Sequence, residues 1–166
     1  MSADGELDAL IAERAIRRKL LEYCRGIDRC DAGLVASVYH PDATDDHGSY
    51  RGPAQEFALR ATAQLRETCE ATMHALGDSL IDLDGDVAHV ETYVLAFHRR
   101  HDADGPFLEK FGGRYLDRFE RREGKWLIAE RTCVREWDAV ERVELAFRPG
   151  RFREGRRDST DLAYRS

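Results

Sequence analysis

The sequence predicts the α+β fold class, with about three N-terminal helices packed on one face of a curved antiparallel sheet. Residues 6–69 contain apolar residues at helical spacing, whereas four segments between residues 71 and 137 are strand-like and rich in β-branched and aromatic residues. The separators of these four segments are short and turn-forming, which implies antiparallel hairpins. A sheet of this kind, coiled against helices, encloses an apolar pocket that is open at one end.

Two helices are predicted at the start of the chain. Residues 6–27 have helical periodicity and many helix-forming residues, and Gly26 loosens the C-terminal end of this helix. Asp31 is a suitable N-cap for a second, short helix in "AGLVASVYH", which Pro41 ends. Most of the first forty or so residues are therefore expected to be helical.

A polar stretch, "PDATDDHGSYRGP", separates the second helix from a third. This stretch has room for one short strand around residues 43–47. Pro53 occupies the first turn of the predicted third helix, "PAQEFALRATAQLRETC". The three predicted helices thus precede all of the long strands.

Four long strands complete the predicted domain. They are "ATMHALGDSLIDL", "DVAHVETYVLAFHRRH", "FLEKFGGRYLDRFERR" and "KWLIAERTCVREW". Turn residues separate them at positions 84–86, 102–106 and 123–124. We assign residues 1–138 to one domain and residues 139–166, which show no clear pattern, to a C-terminal tail that is a candidate for subunit contacts.

Length and composition indicate one globular domain. The chain has 166 residues, of which 42% are hydrophobic and 35% are charged, unlike a disordered protein. No apolar run approaches the roughly 18 residues that span a bilayer, and the start "MSADGELDAL" is acidic where a signal peptide is basic. The net charge of −6 argues against nucleic acid as the main partner. We expect a cytoplasmic protein that binds neither membranes nor nucleic acid.

The tail contains a basic cluster, "FRPGRFREGRR", with five arginines and one glutamate. A single arginine cluster is weak evidence for a polyanion site. We therefore interpret it as a solvated or subunit-contacting tail.

The cysteines indicate reduced thiols. The chain has four, at Cys24, Cys30, Cys69 and Cys133, without a CxxC pair or a metal-type spacing. This pattern is typical of an intracellular protein.

An acid interrupts an apolar stripe at the end of the first helix, in "LLEYCRGIDRCD". The stripe consists of Leu20, Leu21, Cys24 and Ile27. Tyr23 and Asp28 lie on its border. A carboxylate beside apolar residues needs a partner that offsets its loss of hydration.

His74, in "ATMHALGD", is the candidate partner of Asp28; it is in phase along its strand with Thr72, Leu76 and Leu80. A neutral imidazole is a usable base near pH 7, since its unperturbed pKa is about 6.5. An aspartate that accepts the proton on the other ring nitrogen fixes the tautomer and stabilises the imidazolium. The alternative is a structural hydrogen bond that joins helix to sheet.

Three tyrosines are candidates for hydrogen bonding to a substrate. Tyr23 can donate to a carbonyl, an enolate or a leaving hydroxyl, or it can be a half-buried aromatic residue with its hydroxyl at the rim. Tyr50 and Tyr93 are further candidates of the same kind, although Tyr93 could equally face outward.

Arg131 alternates with Leu127, Ala129 and Cys133, which are expected to point inward. An inward arginine can bind an anionic or carbonyl group of a substrate. It can also pair with Asp78 or with another acid inside the pocket, and we favour this salt bridge.

The segment "HPDATDDH" is rich in residue types that bind metals. Its spacing matches no known ligand pattern, and strand alternation sends the successive side chains of Asp45, Asp46 and His47 to opposite faces. We expect no metal site here and only one or two of these side chains, such as that of His47, in the pocket. His98 and His101, in "HRRH", are expected on the surface.

Several motifs carry a family resemblance. They are "YCRGIDRCDAGLVASVYHPDA" with its Y-x4-D pair leading into "HPDA", "MHALGD" in the first long strand, and the closing "GKWLIAERTCVREW". With the order of elements, residues 7–137 resemble the SnoaL-like branch of the nuclear transport factor 2-like (NTF2-like) superfamily. The resemblance implies a cone-shaped α+β barrel, and it is greatest to cofactor-free lyases of the scytalone dehydratase, bile-acid 7α-dehydratase and dehydrochlorinase types.

The resemblance also implies an activity. In those lyases an aspartate at the end of the first helix pairs with a histidine on the first long strand, and Asp28 and His74 match these positions, with Tyr23 as the pocket tyrosine. It implies a cofactor-independent lyase, either a dehydratase or an enzyme of related elimination or aldehyde loss, that acts on a small apolar cyclic or aromatic hydroxylated substrate. Candidate substrate-binding residues are Tyr50, Arg131, His47 and Tyr93. A homotrimer or a homodimer is expected.

Two other function classes remain open. A ketosteroid-isomerase-like isomerase or a polyketide cyclase would use the same pair for proton transfer without elimination. A non-catalytic ligand-binding or assembly subunit would have its pocket filled by side chains such as Phe57, Phe97, Phe111 and Trp126. The sequence has no GxGxxG, GxxxxGK or GxSxG motif, so it offers no support for nucleotide binding or for a serine hydrolase.

Overall fold

The computed structural model describes residues 3–144, 147–148 and 150–164. Within these residues the helices are α1 (Ala3–Asp28), α2 (Ala32–Ser37) and α3 (Ala54–Thr68), and a short 3-10 helix covers Leu162–Tyr164. The strands are β1 (Tyr39–Asp46), β2 (Arg51–Pro53), β3 (Ala71–Asp84), β4 (Val87–Asp102), β5 (Gly105–Arg122) and β6 (Lys125–Arg142). The predicted α+β order of three helices before four long strands is confirmed.

The strands form one open, mixed sheet in the order β2-β1-β6-β5-β4-β3. Strands β3 to β6 are antiparallel to their neighbours through hairpin connections, which confirms the predicted meander. Strand β1 joins β6 in parallel, so the sheet is mixed rather than wholly antiparallel. A parallel neighbour needs a long crossover, and α3 together with the meander supplies it.

The second helix is shorter than the predicted "AGLVASVYH". It ends at Ser37, and His40 already belongs to β1. A residue before proline avoids helical backbone angles, so Pro41 favours the extended conformation at His40. Asp31 caps α2 as predicted, because its carboxylate accepts a hydrogen bond from the Leu34 amide at 2.9 Å.

Gly26 allows two helices to pack closely. Helix α1 does not loosen there but continues to Asp28. A Cβ atom at Gly26 would lie 2.7 Å from Val35 Cγ2 and 2.9 Å from the Val35 backbone nitrogen. A residue without a side chain is therefore required where α2 crosses α1.

The inner faces of the helices and the concave face of the sheet enclose the hydrophobic core. Its most buried members are Ile16, Leu20, Ile27, Val35, Val38, Val94, Phe119 and Ile128. Leu21, which we placed in the apolar stripe of α1, is instead 61% exposed. Each helical residue turns about 100° from the previous one, so Leu20 and Leu21 cannot both face the core.

An ion pair is buried inside this apolar core. Arg131 on β6 donates two hydrogen bonds of 2.7 Å to the carboxylate oxygens of Asp117 on β5, and both side chains are fully buried. The guanidinium carbon lies 4.2 Å from the ring centre of Tyr23 and 4.1 Å from that of Tyr115. Burial opposes the charge of Arg131, but the Asp117 carboxylate keeps the pKa of the guanidinium well above its ordinary value.

A β-bulge divides β3 into two halves. The pairing with β4 shifts between Leu76 and Ser79. His74 and Leu76 face the helices as predicted, but Leu80 is 64% exposed, because one extra residue reverses the alternation. The predicted common face of His74 and Leu80 is therefore wrong.

The outer face of the sheet carries exposed apolar side chains. They include Met73, Leu80, Tyr93, Leu95 and Leu116. Such a face is typical of subunit contacts, and self-association as a homotrimer or homodimer stays a prediction that light scattering can check. None of the helices in the described ranges is long and apolar enough to cross a membrane.

The described part of the tail folds back onto the helices. Strand β6 continues to Arg142, and beyond it the Tyr164 hydroxyl donates to Asp31 at 3.0 Å. Arg66 of α3 donates to the backbone oxygen of Arg157 at 2.8 Å. One part of the basic cluster thus contacts the chain itself, while the proposed domain boundary at residue 138 stays a prediction.

Replacing Asp117 by asparagine should lower the free energy of unfolding by about 3–5 kcal/mol, because it leaves the buried charge of Arg131 without a counter-ion. Urea unfolding at pH 7, followed by circular dichroism, measures the change. The matched control is Asp86→Asn, which removes an exposed ion pair with Arg121 and should cost less than about 1 kcal/mol. Equal losses in the two variants would show that the buried pair is no more important than a surface one.

Candidate active site

A cavity opens between the helices and the concave face of the sheet. Its volume is about 490 Å³. The apolar part of its wall comprises Ile27, Phe57, Ala61, Leu65, Ala96, Phe111, Tyr115 and Cys133. Phe57 and Phe111 thus line the space and do not fill it. The packed pocket expected for a non-catalytic assembly subunit is absent from the described part of the chain.

Asp28 and His74 are hydrogen-bonded to each other at the wall of this cavity. The His74 ring donates from Nδ1 to Asp28 Oδ1 at 2.8 Å, and the His74 backbone amide donates to Oδ2 at 3.0 Å. Nδ1 therefore carries a proton, which leaves Nε2 as the free nitrogen of a ring that lines the cavity. The predicted pairing of the two residues is present.

The position of Asp28 is otherwise unfavourable for a carboxylate. It is the last residue of α1, where the helix dipole disfavours negative charge, and its side chain is only 12% exposed. The two hydrogen bonds from His74 offset both costs. They also join the end of α1 to the start of β3.

A second histidine–aspartate pair lies in the same cavity. The His47 ring donates from Nδ1 to Asp45, whose other carboxylate oxygen accepts the Tyr39 hydroxyl at 2.7 Å. His47 Nε2 lies 3.3 Å from the Tyr23 hydroxyl, and its ring stacks on Phe57 with 4.3 Å between centres. His47 and Tyr23 both line the cavity, as predicted.

The rest of "HPDATDDH" points elsewhere. Asp46 is ion-paired with Arg51 on the outside, in agreement with the predicted alternation about Asp45 and His47. His40 Nε2 hydrogen-bonds to the Glu120 carbonyl at 3.0 Å on another part of the sheet. Within the described ranges no group of three or more His, Cys, Asp or Glu side chains is arranged to hold a metal ion.

His98 also lines the cavity, so its predicted surface position is wrong. Its ring centre lies 5.6 Å from that of His74. Burial, together with the neighbouring His74, lowers the pKa of His98. Its Nε2 is buried and has no hydrogen-bond partner among the described residues. The other ring nitrogen of His98, Nδ1, lies 3.5 Å from the Glu109 carboxylate.

The polar run "HRRH" led to the prediction that His98 lies on the surface. Ala96 and His98 share the inner side of β4 with Val94, and only this alternation distinguishes His98 from the exposed His101. The alternation of β4 could have identified His98 as inward-facing. This would have required the alternation to be continued through the polar residues at the end of the strand.

Three other candidate residues do not line the cavity. Arg131 lies behind Tyr23 in its ion pair with Asp117 and not with Asp78, which is exposed. The Tyr50 hydroxyl donates to the Pro53 carbonyl at 2.8 Å beyond Phe57. Tyr93 is 60% exposed on the outer face of the sheet, because a residue next to inward-facing Thr92 and Val94 must point outward.

Two ionisable groups in the cavity are protonated at neutral pH. Burial raises the pKa of Tyr23 well above its ordinary value, and the Arg131 guanidinium over the ring offsets this only in part. Burial likewise raises the pKa of the Cys133 thiol to about 11. Tyr23 is therefore a hydrogen-bond donor and Cys133 is not a ready nucleophile.

The rim of the cavity is charged but balanced. Arg135 pairs with Asp138 at 2.9 Å, and Arg100 pairs with Glu109 at 3.3 Å. The rest of the wall combines apolar side chains with the phenols of Tyr23 and Tyr115, the three imidazoles and the polar side chains of Ser49, Gln64 and Thr68. This arrangement can bind a small apolar ring and exchange protons with it.

The sequence pattern of the family described as "SnoaL-like domain" matches residues 8–132. No curated protein sequence matches the chain.

Solved structures with the same fold include named lyases. The chain is similar to a type 2 hexachlorocyclohexane dehydrochlorinase, LinA, at 21% identity over 87% of this chain and 99% of that chain, with a TM-score of 0.77. It is similar to a candidate scytalone dehydratase from Novosphingobium aromaticivorans at 20% identity over 87% and 97%, with a TM-score of 0.70. A Mycobacterium tuberculosis protein of unknown function shares 24% identity over 81% and 78%, with a TM-score of 0.68.

The buried His98 should make the protein less stable in mild acid. Its pKa is lowered in the folded state, so below about pH 6.5 the unfolded chain binds more protons and the free energy of unfolding falls as pH falls. His98→Asn should remove this part of the decline, up to about 1.4 kcal/mol per pH unit. Urea unfolding between pH 7.5 and 5 measures it, with the exposed His101→Asn as control. Identical pH profiles for wild type and His98→Asn would contradict the assignment.

Proposed function

The chain belongs to the SnoaL-like family of the NTF2-like superfamily, and from this premise we propose that it is a cofactor-independent lyase. Its proposed substrate is a small, largely apolar cyclic or aromatic compound that carries a hydroxyl group. One observation carries the proposal: His74, fixed through Nδ1 by Asp28, turns a free Nε2 towards an apolar cavity of about 490 Å³.

The base in this reaction is His74. Its Nε2 removes a C–H proton from a carbon next to a carbonyl or a phenol, where the developing charge is delocalised. The Asp28 carboxylate stabilises the imidazolium that forms and keeps the ring in position. General base catalysis of this kind typically contributes about 10²–10⁴-fold to the rate.

Two further side chains assist the base. Tyr23 donates its hydroxyl proton in a hydrogen bond to the departing hydroxyl oxygen. His98, whose lowered pKa keeps it neutral, lies beside His74 in the cavity wall and adds no charge to it. The apolar wall excludes water around these contacts and so strengthens them.

Elimination fits the cavity better than isomerisation. An isomerase of the ketosteroid type uses a carboxylate base and a second, protonated acid in the pocket. Here the carboxylates of Asp28 and Asp45 each lie behind a histidine, and those of Glu109 and Asp138 at the rim are ion-paired, which leaves the imidazoles as candidate bases. The cavity size falls in the range of about 300–1,000 Å³ that is usual for small-molecule sites.

Replacing the proposed dyad should abolish turnover without unfolding the protein. His74→Ala and Asp28→Asn should each lower kcat by about 100-fold or more, because each removes the oriented base. Aromatic and steroid alcohols form the substrate screen. Mass spectrometry of the product distinguishes loss of water, or of a small aldehyde, from isomerisation.

The matched control is His101→Ala, which removes an exposed histidine elsewhere in the sheet and should leave turnover unchanged. Thermal melts of all variants show whether the fold is kept. Full activity in either dyad variant would remove the pair from the mechanism and leave it a structural contact.

A further inference from the structure

We propose that Asp45, His47 and Tyr23 form a proton relay that protonates the group leaving from the substrate. This relay shares the cavity with the Asp28–His74 base and rests on the proposed elimination. It identifies the leaving group as a hydroxyl, which needs a proton to depart, and not as a halide, which does not. The substrate class is therefore an alcohol.

The relay is a continuous chain of hydrogen bonds that ends at the cavity. Asp45 is 1% exposed and accepts at both carboxylate oxygens, from the Tyr39 hydroxyl at 2.7 Å and from His47 Nδ1. On the other side of the imidazole, Nε2 lies 3.3 Å from the Tyr23 hydroxyl. Stacking on Phe57 holds the His47 ring in this plane.

The protonation state of His47 decides where the Tyr23 proton points. When His47 is neutral, its Nδ1 bears the proton and Nε2 accepts the Tyr23 hydroxyl, which turns that proton away from the cavity. When His47 is an imidazolium, Nε2 donates to the Tyr23 oxygen. The hydroxyl proton is then free for an oxygen atom of the substrate.

Buried charged groups surround Tyr23. Among the described residues around Tyr23, the carboxylates of Asp45 and Asp117 are buried with one guanidinium, that of Arg131. Two negative charges thus face one positive charge, which leaves one negative charge unbalanced. His47 lies beside this charge and can carry the proton that the relay passes to Tyr23. Tyr39 and Tyr115 are also buried in this group and stay neutral, since burial raises the pKa of each phenol.

The proposed step conserves protons and electrons. His74 takes the proton from carbon, the C–H electron pair forms the new C=C bond, and the C–O bond breaks. The departing oxygen takes the Tyr23 proton, and Tyr23 takes the Nε2 proton of His47. The products are an alkene and water. His74 then loses its extra proton to solvent, and His47 regains a proton from solvent.

Two probe substrates that differ only in the leaving group test the relay. β-Hydroxypropiophenone loses water and β-chloropropiophenone loses chloride, and both give phenyl vinyl ketone, which is followed by its absorbance. His47→Gln keeps a hydrogen-bonding group near Tyr23 but cannot transfer a proton. We expect it to lower kcat/KM about 100-fold or more on the hydroxy ketone and less than about 3-fold on the chloro ketone.

Three further variants show what this difference between the two ketones means. His74→Ala should lower kcat/KM on both ketones, because both lose the same C–H proton. Tyr23→Phe should reproduce the split of His47→Gln. Asp46→Asn, which alters the neighbouring outward carboxylate, should change neither rate.

Each of the other outcomes contradicts either the proposed function or the relay. If the wild type accelerates neither elimination over buffer, the proposed function fails for this substrate class and the relay fails with it. If the wild type is active but His47→Gln slows both ketones equally, His47 is only structural and the relay is wrong. If His47→Gln slows neither, the relay is wrong and the elimination stands.

Discussion

The ion pair between Arg131 and Asp117 is the constraint on which the rest of the site depends. It joins β5 to β6 inside the core, and its guanidinium lies against the rings of Tyr23 and Tyr115. Because Tyr23 belongs to α1, the pair fixes how closely and at what rotation that helix lies on the sheet. Both the Tyr23 contact with His47 and the arrival of Asp28 at His74 follow from this placement.

The polar groups of the site form two layers, one that lines the cavity and one behind it. Three imidazoles and two phenols line the cavity, while Asp28 and Asp45 lie behind the rings of His74 and His47. A carboxylate in an apolar cavity would be costly to desolvate, whereas a neutral imidazole is not. The arrangement therefore places imidazoles against an apolar ligand and keeps the carboxylates of Asp28 and Asp45 behind them.

Much of this could be predicted from the sequence. Periodicity gave the helices and the four long strands, and an acid beside an apolar stripe, with the family resemblance, indicated the Asp28–His74 contact. Features set by strand pairing could not be predicted. Asp117 is the direct cross-strand neighbour of Arg131, which requires the register of β5 and β6.

The other differences have the same origin. The bulge after Leu76 turned Leu80 outward, and a strand that stays in phase into a polar run brought His98 into the cavity. The parallel pairing of β1 with β6 placed Asp45 and His47 beside Tyr23. A hydrophobic pattern indicates which face of a helix or strand is buried. It does not indicate which other helix or strand lies next to it.

The second hydrogen bond of Asp28, to the backbone amide of residue 74, has an evolutionary consequence. That bond does not involve the imidazole, so the link between α1 and β3 does not require a histidine and needs only a residue with a backbone N–H. At residue 74 the backbone amide therefore contributes to the fold, while the side chain contributes to the proposed chemistry. A lineage with this joint can exchange one reactive group for another, or lose it, while the scaffold stays intact, which helps one fold to diversify in chemistry.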